Sequence, residues 1–220
     1  MQLTVFNGSP RGKKGNTKTL MDKFLDGFRK IAGNDAEVHY LNNREKRKQA
    51  ARIFANSEAV IVAFPLYSDS TPGLVKEFIE SLAPFKGRKG NPKLGFVVQS
   101  GFPEGIHTAC VERYLEKLAR RLRCPYIGTI RKGGVEGIQR KTEKANRPLY
   151  RDFETLGESF GRTGSFDPAI VERFKKPERL PRAIFPLFYI MMKFGIMDMG
   201  WNRLLKANDA FAKRLDRPFA

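Results

Sequence analysis

Ser9, Arg11, Asn16 and Thr17 stand within nine residues of one another, interleaved with Gly8, Gly12 and Gly15 and with Lys13 and Lys14. Hydroxyl, amide and guanidinium donors at this spacing, with no acid among them, suit an anion. The stretch follows an apolar run, Leu3-Thr4-Val5-Phe6, and precedes an amphipathic one carrying Leu20, Met21, Phe24, Leu25, Phe28 and Ile31. Strand, glycine-rich turn and helix in that order bring unpaired backbone N–H groups and the positive end of a helix dipole together. Glycine lets the backbone approach a ligand closely. The pattern implies a bound phosphate. It lacks the glycine spacing of a dinucleotide fold and the Lys-Ser/Thr pair of a triphosphate loop; an ordinary solvated turn is the plainer alternative.

A second motif, Phe64-Pro65-Leu66-Tyr67-Ser68-Asp69-Ser70-Thr71-Pro72-Gly73, follows the continuous apolar run Ala59-Val60-Ile61-Val62-Ala63. Such runs are strands covered on both faces. A helix is predicted to begin near Pro72, whose fixed φ suits a first turn, with Leu74, Val75, Phe78, Ile79 and Leu82 on its buried face.

With both motifs in place, the chain resembles the NAD(P)H-dependent FMN reductase branch of the flavodoxin-like superfamily. Gly8-Ser9-Pro10-Arg11 with Asn16-Thr17 matches the family's phosphate loop, and Pro65, Tyr67, Pro72 and Lys76 match its second loop. The resemblance covers about residues 1–135. It implies FMN as cofactor, with Ser9, Arg11, Gly15, Asn16 and Thr17 around the phosphate. Pro65, Leu66, Tyr67 and Ser68 are then expected along the isoalloxazine, Tyr67 being either a flavin contact or a core aromatic. Ser100, Gly101 and Phe102, after the run Leu94–Gln99, occupy the family's third flavin-contacting position. The activity implied is hydride transfer from NADPH or NADH to FMN and on to a small-molecule acceptor such as a quinone or free flavin. Since the cofactor carries the chemistry, no catalytic acid, base, nucleophile or metal is required of the chain. His107 is read as an unengaged residue at a helix start. The alternative function is an FMN-binding electron carrier or sensor without turnover.

Strands are predicted at 2–6, 36–41, 58–64, 93–99 and 125–131, and helices at 17–32, 46–56, 72–84 and 107–122. This alternation implies an α/β fold with a parallel sheet wrapped on both faces. Runs 58–64 and 94–98 are apolar throughout, as interior strands are; 36–41 and 125–131 alternate and carry charge, as edges do. Both patterns agree with a flavodoxin-like, doubly wound, five-stranded sheet of order 2-1-3-4-5. Gly133-Gly134-Val135-Glu136-Gly137 reads as a flap over the site or as a plain turn. Residues 147–162 and 168–176 read as short polar helices bounded by Pro148 and Pro177. The division expected is an FMN-binding domain over 1–165 and a helical C-terminal extension over 166–220.

Within that extension, Phe185–Trp201 is apolar on every side, which no monomeric surface helix is. Pro186, Lys193 and Asp198 interrupt it, so it is not read as a spanning helix. Burial in the fold or in a homodimer interface is expected, with peripheral membrane contact through 185–201 as the alternative. Residues 201–215 are predicted to form one amphipathic helix.

The net charge of +18 fits anionic ligands such as FMN and NADPH, and counts against an acidic electron carrier. No basic run with interleaved aromatics reads as a nucleic-acid stripe, so no nucleic-acid partner is expected. Cys110 and Cys124 are too few for an iron–sulfur cluster, and both are read as buried inert thiols. The chain enters a strand directly from Met1 without a signal-peptide pattern, which implies a cytoplasmic location.

Overall fold

The computed structural model describes residues 1–67 and 69–216, without the side chain of Lys46. Five parallel strands form one sheet: β1 (Gln2–Asn7), β2 (Asp35–Tyr40), β3 (Ala59–Pro65), β4 (Lys93–Gln99) and β5 (Tyr126–Lys132), in the order β2-β1-β3-β4-β5. Helices α1 (Asn16–Phe28), α2 (Arg44–Ala55), α3 (Gly73–Ser81) and α4 (Ala109–Leu122) connect them. The sheet is the flavodoxin-like arrangement, and the hydropathy of each strand matches its place. β3 is buried along its whole length, while β2, at an edge, has no buried residue.

Because side chains alternate across a strand, one sequence feeds two cores. Ala59, Ile61 and Ala63 of β3 join Leu3 and Val5 on one face; Val60, Val62 and Phe64 join Phe6 on the other. The second core is closed by α2, α3 and α4 through Phe54, Phe78 and Leu115. The first is closed by α1 and by two helices after the sheet, α5 (Glu143–Thr163) and α6 (Pro168–Phe174).

Here the structure corrects the reading of a polar helix bounded by Pro148. α5 runs for 21 residues with Pro148 inside it, and buries Phe153, Leu156 and Phe160 against Phe24 and Phe28 of α1. Polar and charged residues make up most of the rest of α5, so its mean hydropathy conceals a narrow apolar stripe. The two backbones are in contact: a Cβ on Gly157 would lie 1.8 Å from the Phe24 carbonyl oxygen, and one on Gly27 1.9 Å from that of Glu154. Thr142 caps the start of α5, its side chain accepting from the Ala145 N–H, and Gly164 at φ 70° ends it. Phe166, Ile170 and Phe174 complete the same core, so the first compact unit is Met1–Arg179 and reaches past residue 165.

The second unit, Leu180–Ala220, contains α7 (Phe185–Lys193) and α8 (Met199–Ala207), neither with a buried residue. The apolar segment is thus two helices. Gly195 at φ 67° turns the chain, its N–H donating to the Met192 carbonyl and that of Ile196 to the Met191 carbonyl. The helix expected over 201–215 stops at Ala207 by the same device without glycine: Asp209 adopts φ 52°, and the Ala210 N–H donates to the Leu205 carbonyl. Leu215 is exposed. Among the described residues no helix is long and apolar enough to cross a membrane.

Candidate functional site

The first loop, leaving β1, is held close to the sheet. The Gly8 N–H donates to the Ala63 carbonyl at 2.7 Å, and the Ser9 N–H to the Asn7 side-chain oxygen at 3.0 Å. A Cβ on Gly8 would meet Val75 at 2.3 Å, and Gly12 sits at φ 52°. Glycine is required at both. The loop delivers the chain to α1, whose start has no side-chain cap and no acid in its first turn. Among the described residues, the N–H groups of Asn16 and Thr17 find no partner. Ser9 and Thr17 are buried beside them, and the buried Asn7 Nδ2 also lacks a partner. Free donors at a helix N-terminus, with Arg11 in the same cleft, make a site for a dianion.

Two further strand ends face this one. After β3, the Leu66 N–H donates to the Gln99 carbonyl at 2.7 Å, extending the ladder. Tyr67 and Ser70 then exchange N–H···O bonds of 3.2 and 3.0 Å around Asp69 at φ 58°. This tight turn holds Tyr67 half exposed at the cleft, not in the core. After β4, the Ser100 N–H donates to the Lys132 carbonyl, while those of Gly101 and Phe102 have no partner among the described residues.

Of the predicted residues, Ser9, Arg11, Asn16, Pro65, Leu66, Tyr67, Ser100 and Gly101 line one cleft. Thr17 lies behind it, its hydroxyl accepting from Gln99 Nε2 at 3.4 Å, and Gly15 packs on Ser9, where a Cβ would meet Oγ at 2.5 Å. Asn16 lines the cleft, yet its Nδ2 donates to the Val135 carbonyl at 2.9 Å, which makes it a tie between loops. Phe102 is exposed and packs at a tilt against His107, ring centres 4.8 Å apart and planes 32° apart. Ser68 lies outside the described residues.

His107 is not the unengaged residue expected. Besides Phe102, it faces the carboxylates of Asp69 at 3.7 Å and Glu104 at 3.5 Å. The segment Gly133–Gly137 is a brace. Its Val135 is fully buried, the Val135 N–H donates to the Ser100 carbonyl, and that of Gly134 to the Phe102 carbonyl. Gly133 touches the third loop, where a Cβ would meet the Phe102 carbonyl oxygen at 2.6 Å. This brace also brings Glu136 to the cleft. Gln99 and Glu136 are the lining residues that sequence reasoning missed. Gln99, a polar residue ending an otherwise apolar strand, was the available signal for one of them.

Cys110 is exposed, contrary to expectation, because it stands at the polar face of α4 beside Arg113; Cys124 is buried. Burial pushes the Cys124 thiol up to about 12 and lowers the Lys132 ammonium below its ordinary value.

A wider hollow of about 720 Å³ lies at the opposite end of β1, against about 60 Å³ enclosed in the cleft above. It is lined by Glu37 and Glu58 and by the last turn of α2. Arg52 also lines it, but two carboxylates and a helix C-terminus outweigh that one cation and disfavour an anion there. The cleft of the first loop lies at the strand C-termini, where α/β sheets bind ligands.

Solved structures share this fold at low identity. An FMN-dependent NADH-azoreductase from Bacillus anthracis str. Ames Ancestor, in complex with FMN, is 12% identical over 73% of this chain and 100% of its own, with a TM-score of 0.56. The NADH:FMN oxidoreductase EMOB in its apo form is 17% identical over 77% of this chain and 92% of its own, TM-score 0.55. A general stress protein 14 from Treponema denticola in complex with FMN is 16% identical over 73% and 97%, TM-score 0.53. No curated protein matches the chain. The model of the NADPH-dependent FMN reductase family matches residues 1–130, more than half of the sequence, and the chain belongs to that family.

Proposed function

We propose that this chain is an FMN-dependent NAD(P)H oxidoreductase that reduces a small-molecule acceptor of the quinone, free-flavin or azo kind. The observation that carries the reading is the uncapped, acid-free start of α1, with free Asn16 and Thr17 N–H groups, where Asn16 lines the same cleft as the turns after β3 and β4. The residues fit FMN. Backbone N–H groups at the start of α1, the Ser9 hydroxyl and the Arg11 guanidinium would hold its phosphate, with Thr17 packed behind them. Pro65, Leu66 and Tyr67 after β3 and Ser100 and Gly101 after β4 would hold the ring system. The Gly101 and Phe102 N–H groups supply fixed donors where negative charge develops on reduction, preorganised by the 133–135 brace. When bound, FMN would supply the redox chemistry, hydride acceptance from a reduced nicotinamide and electron transfer to the acceptor. Binding, orientation and electrostatics are the protein's share.

The test is an absorbance spectrum of the purified protein, followed by NADPH or NADH under anaerobic conditions. A flavin spectrum that bleaches supports the reading. A flavin spectrum that neither nicotinamide bleaches favours a carrier or sensor, and a colourless protein that takes up no added FMN overturns both.

A further inference from the structure

The second unit presents an outer surface that its own packing does not explain. Ile184, Phe188, Met191, Leu204, Leu205 and Phe211 are half-buried. Outside them, Phe185, Leu187, Tyr189, Ile190 and Met192 of α7 are each at least half exposed, as are Phe194, Met197, Met199 and Trp201 in the turn and α8. At 3.6 residues per turn, the exposed positions of α7 cover most of its circumference, and no charge occurs between Phe185 and Met192. A protein groove engages a single stripe at i, i+3, i+4 and i+7 spacing. Acyl chains make no such demand.

Charge selects among the remaining occupants. Over residues 180–216, six lysines and arginines stand against three aspartates, and Arg182, Lys193, Arg203 and Lys206 bracket the apolar positions. A second copy packing by two-fold symmetry would set the same cationic rim against itself, on chains of +18 each. A bilayer carrying anionic headgroups instead offers the rim its counter-charge and the apolar side chains a solvent. α7 has nine residues, far short of the roughly 20 a span requires, so the unit lies on the surface. Tyr189 and Trp201 are the residue types that settle at the headgroup level.

We propose that residues 180–216 dock this protein on anionic lipid surfaces, with the apolar face of α7 and the following turn inserted at the headgroup boundary and the flanking Lys and Arg on the lipid phosphates. This inference concerns the second unit alone and stands whether or not the chain turns over FMN.

Trp201 is the only tryptophan, so its emission reports on this unit directly. The full-length protein is mixed with phosphatidylcholine vesicles with and without 30 mole per cent (roughly a physiological share) phosphatidylserine, and binding is read by co-sedimentation and by Trp201 emission. Expected are binding to the anionic vesicles with a blue shift, and about fivefold weaker binding for each rim cation removed, for example in Arg203→Gln. Phe185→Ser with Tyr189→Ser is expected to abolish the blue shift while leaving the far-UV spectrum unchanged, since neither side chain is buried. Equal binding to neutral vesicles overturns the charge argument, and no binding to either overturns the proposal. A salt-insensitive dimer by light scattering, with Trp201 already shielded without lipid, overturns it in favour of a second copy.

Discussion

Among the described residues Arg11 is the one arginine lining the cleft, and it sits exposed on a loop whose hydroxyl donors, Ser9 and Thr17, are buried. Its contact with a dianion is charge-assisted but partly screened, so Arg11→Ala is expected to weaken FMN binding about tenfold, read by quenching of free flavin fluorescence. Uptake unchanged by this substitution would remove Arg11 from the phosphate site. The two thiols are separated by environment. Native protein is expected to give one thiol that reacts with a disulfide reagent at pH 8, from Cys110, and two after unfolding. The raised Cys124 value has a definite sign. Unfolded, this thiol ionises at its ordinary value near 9; folded, it holds its proton to about 12. Stability is unaffected below pH 9 and falls as pH rises from there. The urea midpoint of the parent protein should therefore drop more steeply between pH 9 and 11 than that of Cys124→Ala. Equal slopes would show the thiol to be hydrated.

Among the elements, α5 determines how the sheet is closed. Its contact with α1 leaves no room for a methyl group at Gly157 or Gly27, since the neighbour in each case is backbone carbonyl and not a flexible side chain. Gly157→Ala is expected to cost about 3 kcal/mol, the upper end of overpacking effects, measured by urea unfolding. Because α1 also carries the proposed anion site at its N-terminus, the displacement should lower FMN affinity as well. An alanine variant as stable as the parent would mean that the two helices sit farther apart than described. This contact explains why α5 was misread. Eight of its 21 residues are charged, and its role rests on Phe153, Leu156, Gly157 and Phe160, a stripe whose partner lies more than 120 residues away.

For the whole molecule, both cores of the first unit are built from its own residues, the last of them Phe174. A chain ending at Arg179 is expected to fold with the parent's thermal midpoint and to bind FMN with the parent's affinity, checked by thermal melts and flavin titration. A truncated protein that fails to fold would show that residues 180–216 contribute to the core of the first unit. The sites tested by these changes are distinct: truncation removes the proposed lipid contact and spares the cleft.

What the sequence determined by itself is local. The glycines, hydroxyls and Arg11 after β1, the Pro-x-Tyr turn after β3 and the alternation of strands and helices are signalled within windows of ten or so residues. Backbone geometry makes turn chemistry and periodicity legible there. Strand order was legible too, because the number of covered faces sets how apolar a strand is. Tertiary structure alone decided the contacts between distant residues. Asn16 spends its amide on Val135, Glu136 arrives at the cleft on a brace built around Gly133, and His107 meets Asp69 across two loops. None of these leaves a local pattern, since a hydrogen bond spanning 119 residues imposes no periodicity on either partner. The exposure of α7 and α8 follows the same rule in reverse: apolar composition says that a surface seeks cover, and the fold shows that the second unit does not cover its own.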